Sequence, residues 1–187
     1  MENKIIIGLA GQIASGKDTV AEYLAQKYNS VTVSFSQPLR DILNRLFLSI
    51  DRQHLSGLAQ CLIDKFGTDV LSKTIAKEIE ASNKKIFVLP NIRREADYAH
   101  LSHNPGFVLV GINTDTKKCY ERLVKRGQNE DDKTKTWEQF QKDLTLSTEV
   151  SIAGLIEKSS IKLDNNGTKE DLYKQVDELI TNLMNKN

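Results

Sequence analysis

The sequence of 187 residues is poor in cysteine and lacks long hydrophobic runs. Its two cysteines, Cys61 and Cys119, lie far apart and form no CxxC pair, which argues against a disulfide framework and against a zinc site. The longest apolar stretches, residues 5–10 and 107–112, are far shorter than the ~20 residues that span a bilayer. Since the first residues also lead straight into a strand pattern, we expect a cytoplasmic protein with reduced thiols, no signal peptide and no membrane partner.

The chain also lacks an excess of either charge. Lysine and arginine total 26 against 25 aspartates and glutamates, which gives a formal net charge of +1. Nucleic-acid binders usually carry a strong basic excess, so this balance predicts no nucleic-acid partner, although it leaves room for a local arginine cluster that binds phosphate. Apolar residues make up 39% of the sequence, which is enough to fill the core of one ordinary domain.

Short apolar runs alternate with segments of helical periodicity, a pattern typical of an α/β fold with a parallel sheet. Strand patterns occupy residues 4–9, 30–35, 85–89, 107–112 and 161–163. Thr136 and Thr168 each begin a capping pattern that predicts the start of a later helix. Residues 36–82 carry only helical spacing, and a connection longer than a minimal crossover usually serves function rather than the scaffold.

The pattern that carries chemistry is GQIASGK from Gly11 to Lys17, a GxxxxGK motif between a predicted strand and a predicted helix. Glycines let the backbone wrap closely around phosphates, so that successive N–H groups and the helix N-terminus face the anion. The lysine then reaches the β- and γ-phosphates. We expect the nucleotide to contact Gly11, Ala14, Ser15, Gly16, Lys17, Asp18 and Thr19. The strand–loop–helix context favours this interpretation over a plain glycine-rich turn.

Asp18 stands where a P-loop usually has a serine or threonine whose hydroxyl binds magnesium. A carboxylate is a competent ligand for a hard cation, so we expect Asp18 to hold Mg²⁺ directly or through water. The alternative is an acid in the first turn of the helix that complements the helix dipole.

The segment GQIASGKDTVAEYL resembles the P-loop of the nucleoside monophosphate kinase superfamily. It is most similar to the branch with the motif GKDT, which includes phage-type deoxynucleoside monophosphate kinases and dephospho-CoA-kinase-like proteins. Further segments resemble family landmarks in the same order, at residues 35–40, 66–68, 92–95, 122–127 and 164–168. The resemblance therefore covers nearly the whole chain, and its P-loop is the one motif that is specific by itself.

The resemblance implies a three-layer P-loop NTPase fold, α/β, with a five-stranded parallel sheet, a helical acceptor-binding insert and a lid. It implies one kinase domain over residues 1–187, with the core at 1–35, 83–127 and 150–187, the insert at 36–82 and the lid region at 127–149. It also implies a Mg²⁺-dependent transfer of the γ-phosphoryl group of ATP to a small phosphorylated acceptor. A nucleoside or deoxynucleoside monophosphate is the first expectation, with a dephospho-CoA-like acceptor or a nucleotide-binding regulator without turnover as alternatives.

Candidate arginines follow from these landmarks. Arg122 and Arg126 are four residues apart on a predicted helix that runs into the lid, so both can point at the transferring phosphate, and we expect them to be catalytic together with Lys17. Their alternative is a solvated basic helix end. Arg40 and either Arg93 or Arg94 are expected to bind the acceptor's phosphate, with one of the adjacent pair facing water.

The last expectations concern the adenine, the metal and other ATPase classes. Asn165 and Gly167 are expected beside the adenine, with a plain Asn-Gly turn as the alternative. The related kinases usually place an aspartate at the end of the third strand, but this sequence has Leu89-Pro90-Asn91 there. Either Asp18 binds the metal ion instead, or activity is slow, or no phosphate is transferred.

No predicted strand ends in paired acids and no second domain is evident, which argues against a motor or AAA-type ATPase. The acidic run at residues 130–132 is expected to form a solvated lid tip, and the histidines are expected on the surface.

Overall fold

The computed structural model describes residues 4–127 and 132–186. Five parallel strands form one sheet in the order β2-β3-β1-β4-β5. The strands are β1 (Ile5–Ala10), β2 (Val31–Thr32), β3 (Ile86–Leu89), β4 (Phe107–Asn113) and β5 (Ile161–Asp164). The predicted α/β fold with a five-stranded parallel sheet is confirmed.

Helices connect the strands and cover both faces of the sheet. They are α1 (Lys17–Tyr28), α2 (Gln37–Arg45), α3 (Arg52–Phe66), α4 (Val70–Ala81), α5 (Glu95–Tyr98), α6 (Thr116–Arg126), α7 (Trp137–Asp143), α8 (Ser147–Lys158) and α9 (Lys169–Lys186). Within the described ranges no helix is both long enough and apolar enough to cross a bilayer.

β1 is the centre of the core because its continuous apolar run is buried on both faces. Ile7 and Leu9 point to one face and pack with residues of α1 and α9. Ile6 and Ala10 point to the other face, where they pack with residues of α4 and α8. A third, smaller cluster joins the P-loop to α6 and α7 through Trp137 and its neighbours. β1 is therefore held on both faces of the sheet, and the third cluster holds the loop that follows it.

Two predicted elements differ from the structure. The strand pattern at residues 30–35 yields only Val31–Thr32 as β2, because β2 pairs on one side only and the chain turns into α2 at Ser36. Thr136 does open a helix with a reciprocal capping box, but the segment that follows contains two helices, α7 and α8, rather than one.

The polar stretch at residues 127–135 was expected to be a loop with a solvated acidic tip. Glu130 and Asp131 lie outside the described residues. Asp132 begins a 3₁₀ turn over Asp132–Thr134 and is 1% exposed, so the expectation of a solvated side chain is wrong for this residue. The reason is that this turn packs against α6 and that Tyr120 of α6 donates a hydrogen bond to the carbonyl of Lys135.

Candidate active site

The loop between β1 and α1 has a backbone that requires glycine at one position. Gly16 has a φ of 103°, and a Cβ placed on it would lie 2.2 Å from Nδ2 of Asn165. Ala14 also has a positive φ, of 59°. The amide N–H groups of Ala14, Gly16 and Lys17 donate to no acceptor within the described residues. The loop therefore presents free donors at the N-terminus of α1, the arrangement that binds phosphate.

Two side chains from neighbouring strand ends hold this loop in place. The carbonyl of Ser15 accepts hydrogen bonds from Thr114 Oγ1 at 3.0 Å and from Asn165 Nδ2 at 2.7 Å. Thr114 follows β4 and Asn165 follows β5, so both sit at the carboxyl edge of the sheet, on the side of β1 where β4 and β5 lie. Thr114 belongs to no motif in the sequence, although a polar residue directly after a buried parallel strand is a general signal for a site.

Lys17 folds back over the loop. Its Nζ donates to the carbonyl oxygens of Gly11 at 2.7 Å and Gln12 at 2.8 Å. Burial lowers the pKa of this ammonium group to about 8, and the positive charge of Arg93 lowers the pKa further, while the negative charges of Asp18 and Glu149 oppose both effects. The lysine is thus held over the loop by acceptors that an incoming phosphate would replace.

A cavity of about 1000 Å³ opens beside the loop. Its lining is formed by Ala14, Gly16, Lys17, Asp18, Thr19, Glu22, Arg122, Lys125, Arg126, Asn165 and Lys169. Gly11 and Ser15 are buried and do not line it, and neither does Gly167, which is exposed just before α9. Lys125 and Lys169 were not singled out from the sequence. Five basic side chains against two acidic ones make this cavity suited to a polyanion.

The two arginines expected at the lid both reach this cavity. Arg122 donates from Nη2 to the carbonyl of Asn165 at 3.0 Å, and its buried Nη1 has no partner. Arg126 Nη1 lies 3.7 Å from Oδ2 of Asp18, whose side chain is 64% exposed. The side-chain amide of Asn165 is already bonded to the loop, so this residue positions the loop in addition to lining the cavity.

A second cavity of about 360 Å³ lies between the helices after β2 and the segment after β3. Arg93 and Arg94 both line it, but only Arg94 is tied down, with Nη2 at 3.1 Å from Oδ1 of Asp97. The guanidinium of Arg93 has no hydrogen-bond partner within the described residues, and its charge acts on Lys17. Arg40 is exposed in the first turn of α2 and does not line either cavity.

The described part of the chain holds no group of three histidine, cysteine, aspartate or glutamate side chains that could cage a metal ion. His100 was expected to be a solvated surface residue, but its Nε2 lies 2.7 Å from Oδ2 of Asp69. Mg²⁺ usually keeps several waters and binds through one or two carboxylates and the phosphates of a substrate. The carboxylate of Asp18 beside the P-loop fits that mode of binding.

The chain resembles known proteins over nearly its whole length. Residues 7–145 match the family described as AAA domain. A UPF0200 protein of Methanocaldococcus jannaschii is 26% identical over 97% of this chain and 91% of its own length. A UPF0200 protein of Thermococcus kodakarensis is 21% identical over 97% of this chain and 100% of its own length.

Solved structures support the fold assignment. The structure of shikimate kinase from Bacteroides thetaiotaomicron has a TM-score of 0.60 with 14% identity, and the match covers 96% of this chain and 98% of that one. At this identity the likeness is one of fold alone, and it places this chain among proteins with a P-loop kinase-like fold.

Proposed function

The chain belongs to the family described as AAA domain, and from this membership and the geometry of the P-loop we propose that it binds ATP and transfers the γ-phosphoryl group to a small phosphorylated acceptor. The observation that carries this proposal is the anchored loop with free amide donors beneath a basic cavity, with Lys17 folded over it. A nucleoside or deoxynucleoside monophosphate is the proposed acceptor. We propose that the chain belongs to the branch of the nucleoside monophosphate kinases that has the motif GKDT. We also propose that it acts in the cytoplasm.

The family membership corrects the expectation that the chain lies outside the AAA-type ATPases. That expectation rests on the absence of paired acids at a strand end and on the absence of an evident second domain. No described strand ends in two adjacent acids. The P-loop and its flanking strand and helix are common to kinases and other P-loop proteins, so the lack of paired acids does not separate the two groups.

In the proposed reaction, the backbone donors and Lys17 bind the β- and γ-phosphates of ATP. Arg122 and Arg126 approach the γ-phosphoryl group from α6 and offset the charge that spreads over its oxygens during transfer. The Nη1 group of Arg122, which is buried without a partner, is the donor best placed for this role. Asp18 would hold Mg²⁺, which would supply positive charge to offset the negative charge of the phosphates.

The acceptor is proposed to bind in the second cavity. Arg93 supports this assignment because its guanidinium is unpartnered within the described residues, lines that cavity and acts on Lys17. Arg94 instead forms part of the cap of α5 with Asp97. Arg40 is proposed to approach the acceptor's phosphate only when α2 moves, because its side chain lies outside the cavity. A dephospho-CoA-like acceptor uses the same groups.

A second candidate function is nucleotide binding that regulates another process without phosphoryl transfer. The residues at the end of β3 and directly after it are Leu89, Pro90 and Asn91, so this strand end offers no carboxylate. Loss of such a group slows transfer more than it weakens nucleotide binding.

The experiment that tests the proposal measures ADP formation from Mg-ATP across a panel of ribo- and deoxynucleoside monophosphates, dephospho-CoA and a blank without acceptor. We expect turnover with one acceptor well above the blank, and its loss in Lys17→Ala. Lys162→Ala, which removes an exposed lysine of β5, is the matched control. If every acceptor gives the rate of the blank while ATP still binds, the kinase proposal fails and the regulator takes its place.

A further inference from the structure

One carboxylate lines the second cavity, although that cavity is proposed to bind an anion. Asp97 of α5 is the only acid among the described residues that line it, and its side chain is 12% exposed. A carboxylate without partners at this place would repel the phosphate of an acceptor and would lose part of its own hydration. The contacts that Asp97 makes therefore decide whether it opposes binding or supports it.

The donors around Asp97 show where its charge is directed. Its Oδ2 accepts hydrogen bonds from the backbone N–H of Arg93 at 2.9 Å and from the backbone N–H of Arg94 at 3.0 Å. Its Oδ1 accepts from Nη2 of Arg94 at 3.1 Å and from Nε of the same residue at 3.3 Å. Both oxygens are thus occupied, and the guanidinium that offsets the negative charge is that of Arg94 and not that of Arg93.

The fold fixes both ends of the contact between Asp97 and the backbone of Arg93. Ile92, directly before Arg93, is 1% exposed, and its N–H donates to a carbonyl of β1. Tyr98, directly after Asp97, stacks on Phe107 of β4 with 5.5 Å between the ring centroids. Asp97 therefore holds the N–H of Arg93 from an anchored helix, and the backbone of Arg93 has little freedom to turn.

A fixed backbone matters for Arg93 because its side chain has nothing else to hold it. Its guanidinium lines the cavity without a hydrogen-bond partner among the described residues. A long side chain that becomes ordered around an anion binds it more tightly when less conformational entropy is lost, and a fixed backbone lowers that loss.

We propose that Asp97 is a positioning residue for Arg93. Through the backbone N–H it fixes the point from which the Arg93 side chain extends, and by pairing with Arg94 it leaves the guanidinium of Arg93 as the one available to the acceptor's phosphate. This inference rests on the proposed function, because it assumes an anionic acceptor in the second cavity.

The test measures steady-state ADP formation by the full chain with the acceptor that gives turnover. For Asp97→Ala we expect the KM for the acceptor to rise about tenfold and kcat to stay within about twofold, since Arg93 binds the acceptor in its ground state and its transition state alike. Affinity for a non-hydrolysable ATP analogue, measured by calorimetry, should not change. Asp97→Asn keeps an oxygen that accepts from the two backbone N–H groups, so it should recover most of the loss.

A double variant separates positioning from a merely structural role. If Asp97 acts through Arg93, then Asp97→Ala combined with Arg93→Ala should lose no more kcat/KM than Arg93→Ala alone. Glu95→Ala is the matched control, because Glu95 is an exposed acid of the same helix that contacts Lys158 and does not line the cavity. Thermal unfolding shows that each variant is folded. If Asp97→Ala does not fold, Asp97→Ser serves the same comparison, since its hydroxyl ends one bond short of the carboxylate oxygens.

Three results would overturn the inference: an unchanged acceptor KM in Asp97→Ala, an equal rise of that KM in Glu95→Ala, or losses that multiply in the double variant. If the wild-type protein binds the analogue but no acceptor raises ADP formation above the blank, the proposed function fails and the inference fails with it. The two failures are distinguishable, because the first requires a wild-type protein that turns over.

Discussion

The two ends of the proposed reaction are built differently. At the nucleotide end, the loop carbonyl of Ser15 accepts from Thr114 and Asn165, and Gly16 lies against Asn165 with no room for a side chain. At the acceptor end, α3 has no buried residue over its 15 positions. Several large apolar side chains around α2 and α3 are exposed, among them Phe47 at 97%, Phe66 at 66% and Leu46 at 58%.

This difference teaches that the proposed phosphate site is formed before a ligand arrives, whereas the proposed acceptor site is bordered by a loosely packed helix, α3. Few buried apolar contacts mean a low local free energy of opening, so we expect α3 to move readily around an acceptor, whereas α2 is held by its buried Leu39 and Leu43.

Removing the amine of Lys17 should have the largest effect. Lys17→Ala is expected to lower acceptor-dependent turnover about 100- to 1000-fold, because a cation aimed at the transferring group is lost. Arg40→Ala, which removes an exposed arginine of α2, should raise the KM for the acceptor several-fold with a much smaller change in kcat. Steady-state ADP formation measures both. An equal loss of turnover in Lys17→Ala and Arg40→Ala would show that the nucleotide end and the acceptor end do not differ in this way.

Gly16→Ala tests the rigidity of the nucleotide end. The new methyl group would meet Asn165 Nδ2, and alanine at a φ of 103° is strained, so we expect a loss of about 1–3 kcal/mol in unfolding free energy together with weaker ATP binding. Chemical denaturation and calorimetry measure the two quantities. Asn165→Ala combined with Gly16→Ala should relieve the clash but not the backbone strain. A wild-type stability for Gly16→Ala would show that the loop is not held as described.

Arg93 and Arg94 provide a matched pair within the second cavity. Arg93→Ala is expected to lower kcat/KM for the acceptor about tenfold or more, since its guanidinium is available for an anion. Arg94→Ala should act mainly on stability through its contact with Asp97, with a change in kcat/KM of no more than about twofold. A larger kinetic effect for Arg94→Ala than for Arg93→Ala would reverse the assignment.

The affinity for ATP should depend on pH through Lys17. Only the ammonium form binds phosphate well, and the pKa of this group in the free protein is about 8, so affinity should be constant below that pH and fall as the pH rises through it. Lys17→Arg should remove this dependence, because a guanidinium stays charged over the whole range. Titrations with the non-hydrolysable analogue at several pH values test this. A wild-type affinity that stays flat through pH 8 would contradict it.

Gly57→Ala in α3 should have the smallest effect, and one of opposite sign to Gly16→Ala. A Cβ at Gly57 would meet nothing within 4 Å, and alanine is the better helix former, so we expect a gain of about 0.5–1 kcal/mol in unfolding free energy. ATP affinity should not change. A loss of stability would indicate that α3 is packed against something at this position.

The sequence predicts the strands and the P-loop motif well, and it predicts the contacts between distant segments poorly. β1 and β3 are continuous apolar runs buried on both faces, β4 is an apolar run that is mostly buried, and the P-loop motif lies where β1 ends, so local patterns were sufficient to predict them. The anchoring of Ser15 by Thr114 and Asn165 joins residues that are 99 and 150 positions apart, and no local pattern encodes such contacts. The burial of Asp132 and the shortness of β2 depend on tertiary packing in the same way.

The central claim is that the nucleotide end is formed in advance and the acceptor end is not. Amide hydrogen exchange of the full chain, with and without the non-hydrolysable ATP analogue and Mg²⁺, tests it most directly. We predict slow exchange in β1 in both states, new protection of residues 11–19 on nucleotide binding, and fast exchange in α3 in both states. Protection of α3 without an acceptor, or unchanged exchange of residues 11–19 when the analogue is bound, would contradict the account.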